Sequence, residues 1–118
     1  MLNKDRNKLD KLAREKARDN FDGKCAICGK ENANVHHIEG RRILSCRWYL
    51  PNLILLCPLH HTFGLFSAHQ SPLQFHAFLL DTYGDKFIKD IRKQANKTFK
   101  GTYETVLSYL NNEINNYV

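Results

Sequence analysis

Two short pairs of metal-ligand residues constrain this chain more than anything else in it. Cys25-Ala26-Ile27-Cys28 is the first, and Cys57-Pro58-Leu59-His60 repeats the two-residue gap with histidine in the last place. A gap of two lets a single turn present both side chains to one ion, and two such turns complete a closed tetrahedral site. Gly29 follows the first pair, where glycine tolerates the backbone turn that a knuckle needs. Thiolate-rich tetrahedral coordination selects Zn²⁺ over magnesium or calcium. A redox CxxC would sit near a βαβ pattern, which this chain does not have. The expectation is a structural zinc ion held by Cys25, Cys28, Cys57 and His60. Cys46 lies outside both pairs and reads as a buried small hydrophobe.

At 118 residues there is room for one domain and one modest core, and a bound ion helps a domain of this size. Hydrophobic residues at 42% and charged residues at 25% exclude wholesale disorder. The apolar stretch Leu53 to Leu56 is far too short to span a bilayer, so no membrane partner is expected. No apolar h-region follows Met1, which points to a reducing cytoplasm, where paired cysteines hold metal rather than form disulfides. The formal net charge of +6 favours a polyanionic partner, nucleic acid being the commonest. A basic soluble protein without such a partner would carry the same surplus, so charge alone decides nothing.

The expected fold is α+β, a small zinc-stabilised centre over residues 24–69 with flanking N-terminal and C-terminal helices. Leu2 to Asn20 reads as a helix with a thin stripe of Leu9, Leu12, Ala13 and Ala17, its other faces either solvated or contacting DNA. Gly23 ends it. Asn34 to Ile38 and Asn52 to Leu56 read as short strands, joined by a long connection from Glu39 to Pro51. Ser71-Pro72 opens a helix running to Tyr83 before Gly84. A further helix is predicted from Asp85 to about Asn96. The last is predicted from Tyr103 to Asn116, with Val106, Leu107, Leu110 and Ile114 at helical spacing. These apolar faces support either a monomer or a homodimer.

Histidines gather around the zinc pairs. His36-His37 sits on the first strand, Asn52 opens the second, and His61 follows the last zinc ligand directly. In this order and spacing, residues 24–69 resemble the HNH endonucleases, the ββα-metal (His-Me finger) nucleases, and the compact form is similar to small phage-type members. The resemblance implies metal-dependent hydrolysis of phosphodiester bonds in DNA, in a bacterial or phage-infected cell, in recombination or genome processing. It assigns His37 as general base, a role suited to an imidazole that titrates near neutral pH. It assigns His36 and His61 to a catalytic divalent ion, and Asn52 to holding the strand–loop geometry and orienting the base through its side-chain amide. Many members carry aspartate where this chain has His36, and an all-nitrogen site shifts the preference from Mg²⁺ toward Mn²⁺, Ni²⁺ or Zn²⁺. His69 either completes that site or contacts phosphate.

Neighbouring residues on a regular strand face opposite ways, so the strand is expected to bend or end near Glu39-Gly40 if His36 and His37 serve one site. Arg41, Arg42 and Arg47 are candidate phosphate contacts, while Trp48 reads as core and Tyr49 as core or a base-stacking surface. His76 reads as a packed or surface residue. The contrasting expectation is a non-catalytic zinc module that binds nucleic acid or a protein, with His36, His37 and His61 idle.

Overall fold

In the computed structural model, which describes residues 1–118, five helices surround a two-stranded antiparallel sheet. Helix α1 (Asn3–Asn20) turns one face inward, burying Leu9, Asp10, Ala13 and Ala17. It stops where Gly23, at φ +70, donates its N–H back to the Arg18 carbonyl at 2.9 Å. This five-residue return closes a helix end and needs a left-handed backbone, which glycine adopts without penalty. Arg18 then reaches forward to the Ala33 carbonyl at 2.9 Å, fixing the helix to the start of the sheet.

Strand β1 (Asn34–His37) pairs with β2 (Leu53–Leu56), Asn34 opposite Leu56 and His37 opposite Leu53. All four residues of β2 are buried, which explains why its sequence is apolar without alternation. A two-stranded sheet is marginal by itself, and here α1 packs against both strands. The strand boundaries sit one residue inside those predicted at Ile38 and Asn52. Asn52 instead closes a short 3-10 turn, Leu50–Asn52. The connection from Glu39 to Pro51 is more ordered than its composition suggests, because it contains that turn and a one-turn helix, α2 (Leu44–Arg47).

Helices α3 (Pro72–Tyr83) and α4 (Asp85–Ala95) pack on each other across Gly84. Helix α5 (Tyr103–Leu110) packs on α1, and Thr102 caps it, accepting the Thr105 N–H at 3.3 Å. The predicted extension of α5 to Asn116 is a correction. The helix ends at Leu110, Asn112 adopts a left-handed φ of +62, and Ile114 faces solvent. Two tertiary anchors hold the tail off the helical path. The Tyr117 hydroxyl lies 2.7 Å from the Ser45 carbonyl and accepts the Trp48 N–H at 3.3 Å. Asn116 exchanges amide hydrogen bonds with the buried Gln94, at 2.9 and 3.2 Å. Trp48 is fully buried among Phe99 and Tyr117, so it belongs to the core. Tyr49 is half-buried, stacked on Tyr109. No helix is long and apolar enough to cross a membrane.

Candidate metal centres

The two ligand pairs meet. Cys25 and Cys28 lie on the turn that precedes β1, and Cys57 and His60 lie where β2 runs out into a turn of π type, Leu59–Phe63. Main-chain bonds join the two, with Ala26 donating to the Leu55 carbonyl at 2.8 Å. The ligand atoms of all four residues lie within 4.8 Å of one another, so they could hold a metal ion. Cys28 Sγ is 3.7 Å from Cys57 Sγ, too far for a disulfide. His60 Nδ1 is 3.3 Å from Cys57 Sγ and 3.7 Å from Cys25 Sγ. Bonds of about 2.3 Å to sulfur and about 2.0 Å to nitrogen give tetrahedral edges of about 3.8 Å (S to S) and about 3.5 Å (S to N). The residues present therefore fit a tetrahedral ion.

Burial raises the Cys25 thiol, but backbone N–H donors around Cys57, Cys28 and Ile27, with His60, outweigh it and bring it down to about 6. That favours the thiolate, the form that ligates metal. Cys46 is different. Fully buried, its thiol is pushed up to about 11 by burial and the Glu39 charge, and it sits 3.7 Å from the Ile91 carbonyl, away from the ligand group.

A second cluster begins one peptide bond further on. His36 on β1, His61 in the π-type turn and His69 beyond it bring ring nitrogens within 4.8 Å of one another. Their ring centroids form a nearly equilateral triangle, with sides of 5.1, 5.0 and 4.7 Å. His61 Nε2 and His69 Nε2 stand 3.0 Å apart, held by the loop bonds Ala68 N–H to His60 O and His69 N–H to His61 O. Burial, then repulsion from His61, His69 and His37, hold the His36 ring down to about 3. Burial and His69 also lower His61. Neutral imidazoles are the metal-binding form.

His37 faces the other way, as strand alternation requires. Its Nε2 lies 3.1 Å from the Arg47 carbonyl. A carbonyl can only accept, so Nε2 carries the proton and the Nδ1 lone pair is left free. Burial lowers the His37 ring from its ordinary value, against opposing contributions from the Arg47 carbonyl and Asp10. Although it makes no contact with the His36 triangle, His37 lines the same 310 Å³ cavity as His36.

Asn52 is fully buried, and its amide is fully engaged. It accepts the Glu39 N–H at 2.7 Å and donates to the carbonyls of Glu39 and Cys46 at 3.0 and 3.1 Å. It touches neither His37 nor solvent. Asn52 thus holds the loop that carries Glu39, Cys46 and Arg47, the strand–loop geometry expected of it, and its amide makes no direct bond to His37.

The arginines divide. Arg47, predicted to contact nucleic acid, spends its guanidinium on Asp10 through two bonds of 2.9 and 2.7 Å and lies 5.4 Å from the Trp48 ring centre. With a side chain only 11% exposed, it is a structural residue. Arg41 also reaches Asp10, at 2.7 Å, but is 58% exposed, and Arg42 is free at the surface. Asp10 was invisible to sequence reading. It is 7% exposed and also accepts the Trp48 Nε1–H at 2.9 Å. The only signal was an acid beside the buried stripe of α1. His76 is exposed on α3, as its sequence position suggested, and lines the 310 Å³ cavity.

The chain matches no protein-family model, no curated protein and no solved structure. Fold and site together define a small α+β protein with a Cys₃His cluster and a separate histidine triangle.

Proposed function

We propose that the protein is a metal-dependent endonuclease that hydrolyses phosphodiester bonds in DNA, built on a ββα-metal centre of the HNH type. The observation that carries this reading is a histidine triangle that shares a cavity with His37 through one of its members, His36. The triangle offers three imidazoles to one ion, and His37 has its Nε2–H tied to a carbonyl, so that Nδ1 is a free base.

In this reading Cys25, Cys28, Cys57 and His60 hold a structural zinc ion, and His36, His61 and His69 hold a second divalent ion. When bound, that second ion neutralises the scissile phosphate and stabilises the leaving oxygen. His37 Nδ1 takes a proton from the water that attacks phosphorus, while the bond from phosphorus to the leaving oxygen breaks. The Arg47 carbonyl keeps the ring in the productive tautomer and stabilises the imidazolium that forms. Asp10 fixes Arg47, and Asn52 fixes the loop on either side. Arg41, which is largely exposed although paired with Asp10, and Arg42, free at the surface beside it, supply contacts to the DNA backbone.

The test is incubation of the purified chain with supercoiled plasmid under Mg²⁺, Mn²⁺, Ni²⁺ or Zn²⁺, beside a His37→Ala variant with unchanged circular dichroism. The expected result is nicking by the parent and none by the variant. Equal cleavage by both would remove His37 from the reaction. No cleavage under any metal would favour a zinc module that only binds.

A further inference from the structure

The 310 Å³ cavity extends well beyond the two histidines. Ala68, Phe75 and Leu79 supply apolar walls from α3 and the loop before it, and Ile88 and Ile91 supply the wall from α4. Glu39, His76 and Arg92 add polar groups. Phe75 meets His36 edge to face at 5.1 Å, so the apolar wall begins where the histidine triangle ends. Arg92 is exposed and makes no ion pair, unlike Lys86 and Lys89 on the same helix. The Glu39 backbone is clamped by Asn52 at both N–H and C=O, which fixes that part of the wall.

Phosphodiester hydrolysis alone does not need such a cavity. Its volume stands at the small end of the range for ligand pockets, about 300–1,000 Å³, which suits one flat group and excludes a duplex. Apolar faces with a few donors and acceptors at hand are what a nucleobase removed from its stack requires. A carboxylate and a guanidinium together match the mixed donors and acceptors of a base edge. The loop between His61 and His69 adds a second feature. Phe63 and Phe66 are 83% and 65% exposed, an apolar tip of the kind that parts base steps.

We propose that this cavity receives one unpaired nucleobase from the strand whose backbone lies at the His36, His61 and His69 triangle. The protein thereby selects DNA containing an unpaired base over continuous duplex. This rests on the DNA-cleaving reading for its ligand class, but its readout is binding. Extruding a base from intact duplex forfeits its pairing and stacking, and an already unpaired base avoids most of that cost.

The experiment measures equilibrium binding of the full chain, with its metal, to three labelled duplexes of one sequence. One is continuous, one carries a single bulged adenine, and one carries an abasic bulge. A fixed salt concentration keeps the backbone contribution common to all three. The expected result is at least ten-fold tighter binding of the bulged adenine than of either other duplex. Ile88→Trp, which fills the cavity from α4, is expected to bring the bulged duplex down to the affinity of the continuous one. If that variant does not fold, Gly40→Phe decides in the same way, because a side chain at Gly40 enters open space on the cavity lining.

Equal binding of all three duplexes, equal binding of the two bulges, or a preference that survives cavity filling would each overturn the proposal. Plasmid cleavage without any preference would remove the cavity's role and leave the nuclease. A preference without cleavage would do the reverse. No binding to any duplex would overturn both.

Discussion

His60 and His61 are joined by one peptide bond yet belong to different clusters. His60 Nδ1 stands 3.3 Å from Cys57 Sγ, while His61 Nε2 stands 3.0 Å from His69 Nε2. The π-type turn separates them, and both N–H groups are tied to the Cys57 carbonyl, at 3.0 and 2.8 Å. Whatever fixes Cys57 also fixes where the histidine triangle lies.

Loss of one thiolate should therefore be felt in both places. Cys25→Ala is expected to lose one metal ion per chain and most of its thermal transition, because structural metal binding is itself folding free energy, about 10–16 kcal/mol in zinc peptides. His69→Ala, at an exposed position, should keep its melting temperature and lose only a second, weaker equivalent. Metal content by elemental analysis and melting by circular dichroism check both. Unchanged melting and metal content in Cys25→Ala would refute the structural assignment.

Asn52 offers a nearly isosteric test. In Asn52→Asp the two donors that face the carbonyls of Glu39 and Cys46 are replaced by an oxygen, leaving acceptor against acceptor in a buried place. An unsatisfied buried group costs about 1–3 kcal/mol, and a buried charge costs more, so a loss of at least about 2 kcal/mol is expected from urea titration. A change below about 0.5 kcal/mol would mean that the loop does not depend on this amide.

Asp10 and its two arginines should respond unequally. Asp10→Asn leaves Arg47 buried without its counter-charge, a change that typically costs about 3–5 kcal/mol. Arg41→Ala removes a mostly exposed partner and should cost no more than about 1 kcal/mol. The ranking is checked by denaturant unfolding at neutral pH, and similar losses in the two variants would contradict it.

The same carboxylate predicts a pH dependence. Burial raises the Asp10 carboxyl, but hydrogen bonds from Arg47 and Arg41, the Arg47 charge and Trp48 together hold it down to about 2. A carboxyl depressed on folding contributes stability that is present above its unfolded value, near 4, and lost as pH falls through the folded one. The parent should lose stability between about pH 4 and pH 2, and Asp10→Asn should show less of that loss. Parallel acid limbs would show that other groups govern the transition.

The two sites differ in how far the chain announces them. The Cys25, Cys28, Cys57 and His60 set is legible because each half is a local turn with a fixed gap. His36, His61 and His69 are legible as residues, but their meeting depends on how the 61–69 loop returns to the sheet. Asp10 is not legible, because its partners lie 31 and 37 residues away and nothing local marks it. The end of α5 is hidden for a related reason. Val106, Leu107, Leu110 and Ile114 keep helical spacing, but the Tyr117 hydroxyl competes for the tail from the far side of the core. The cavity walls on α3 and α4 carry no motif at all, only ordinary apolar residues.

The Asp10 clamp also sets the smallest version of this protein that could work. The ligand-bearing stretch, residues 24–69, looks portable, as though it could be cut out or grafted elsewhere. It is not, because the carboxylate that neutralises Arg47 and accepts the Trp48 indole N–H bond comes from α1. A minimal chain must bring that helix with it. What resembles a detachable basic handle is one wall of the interior.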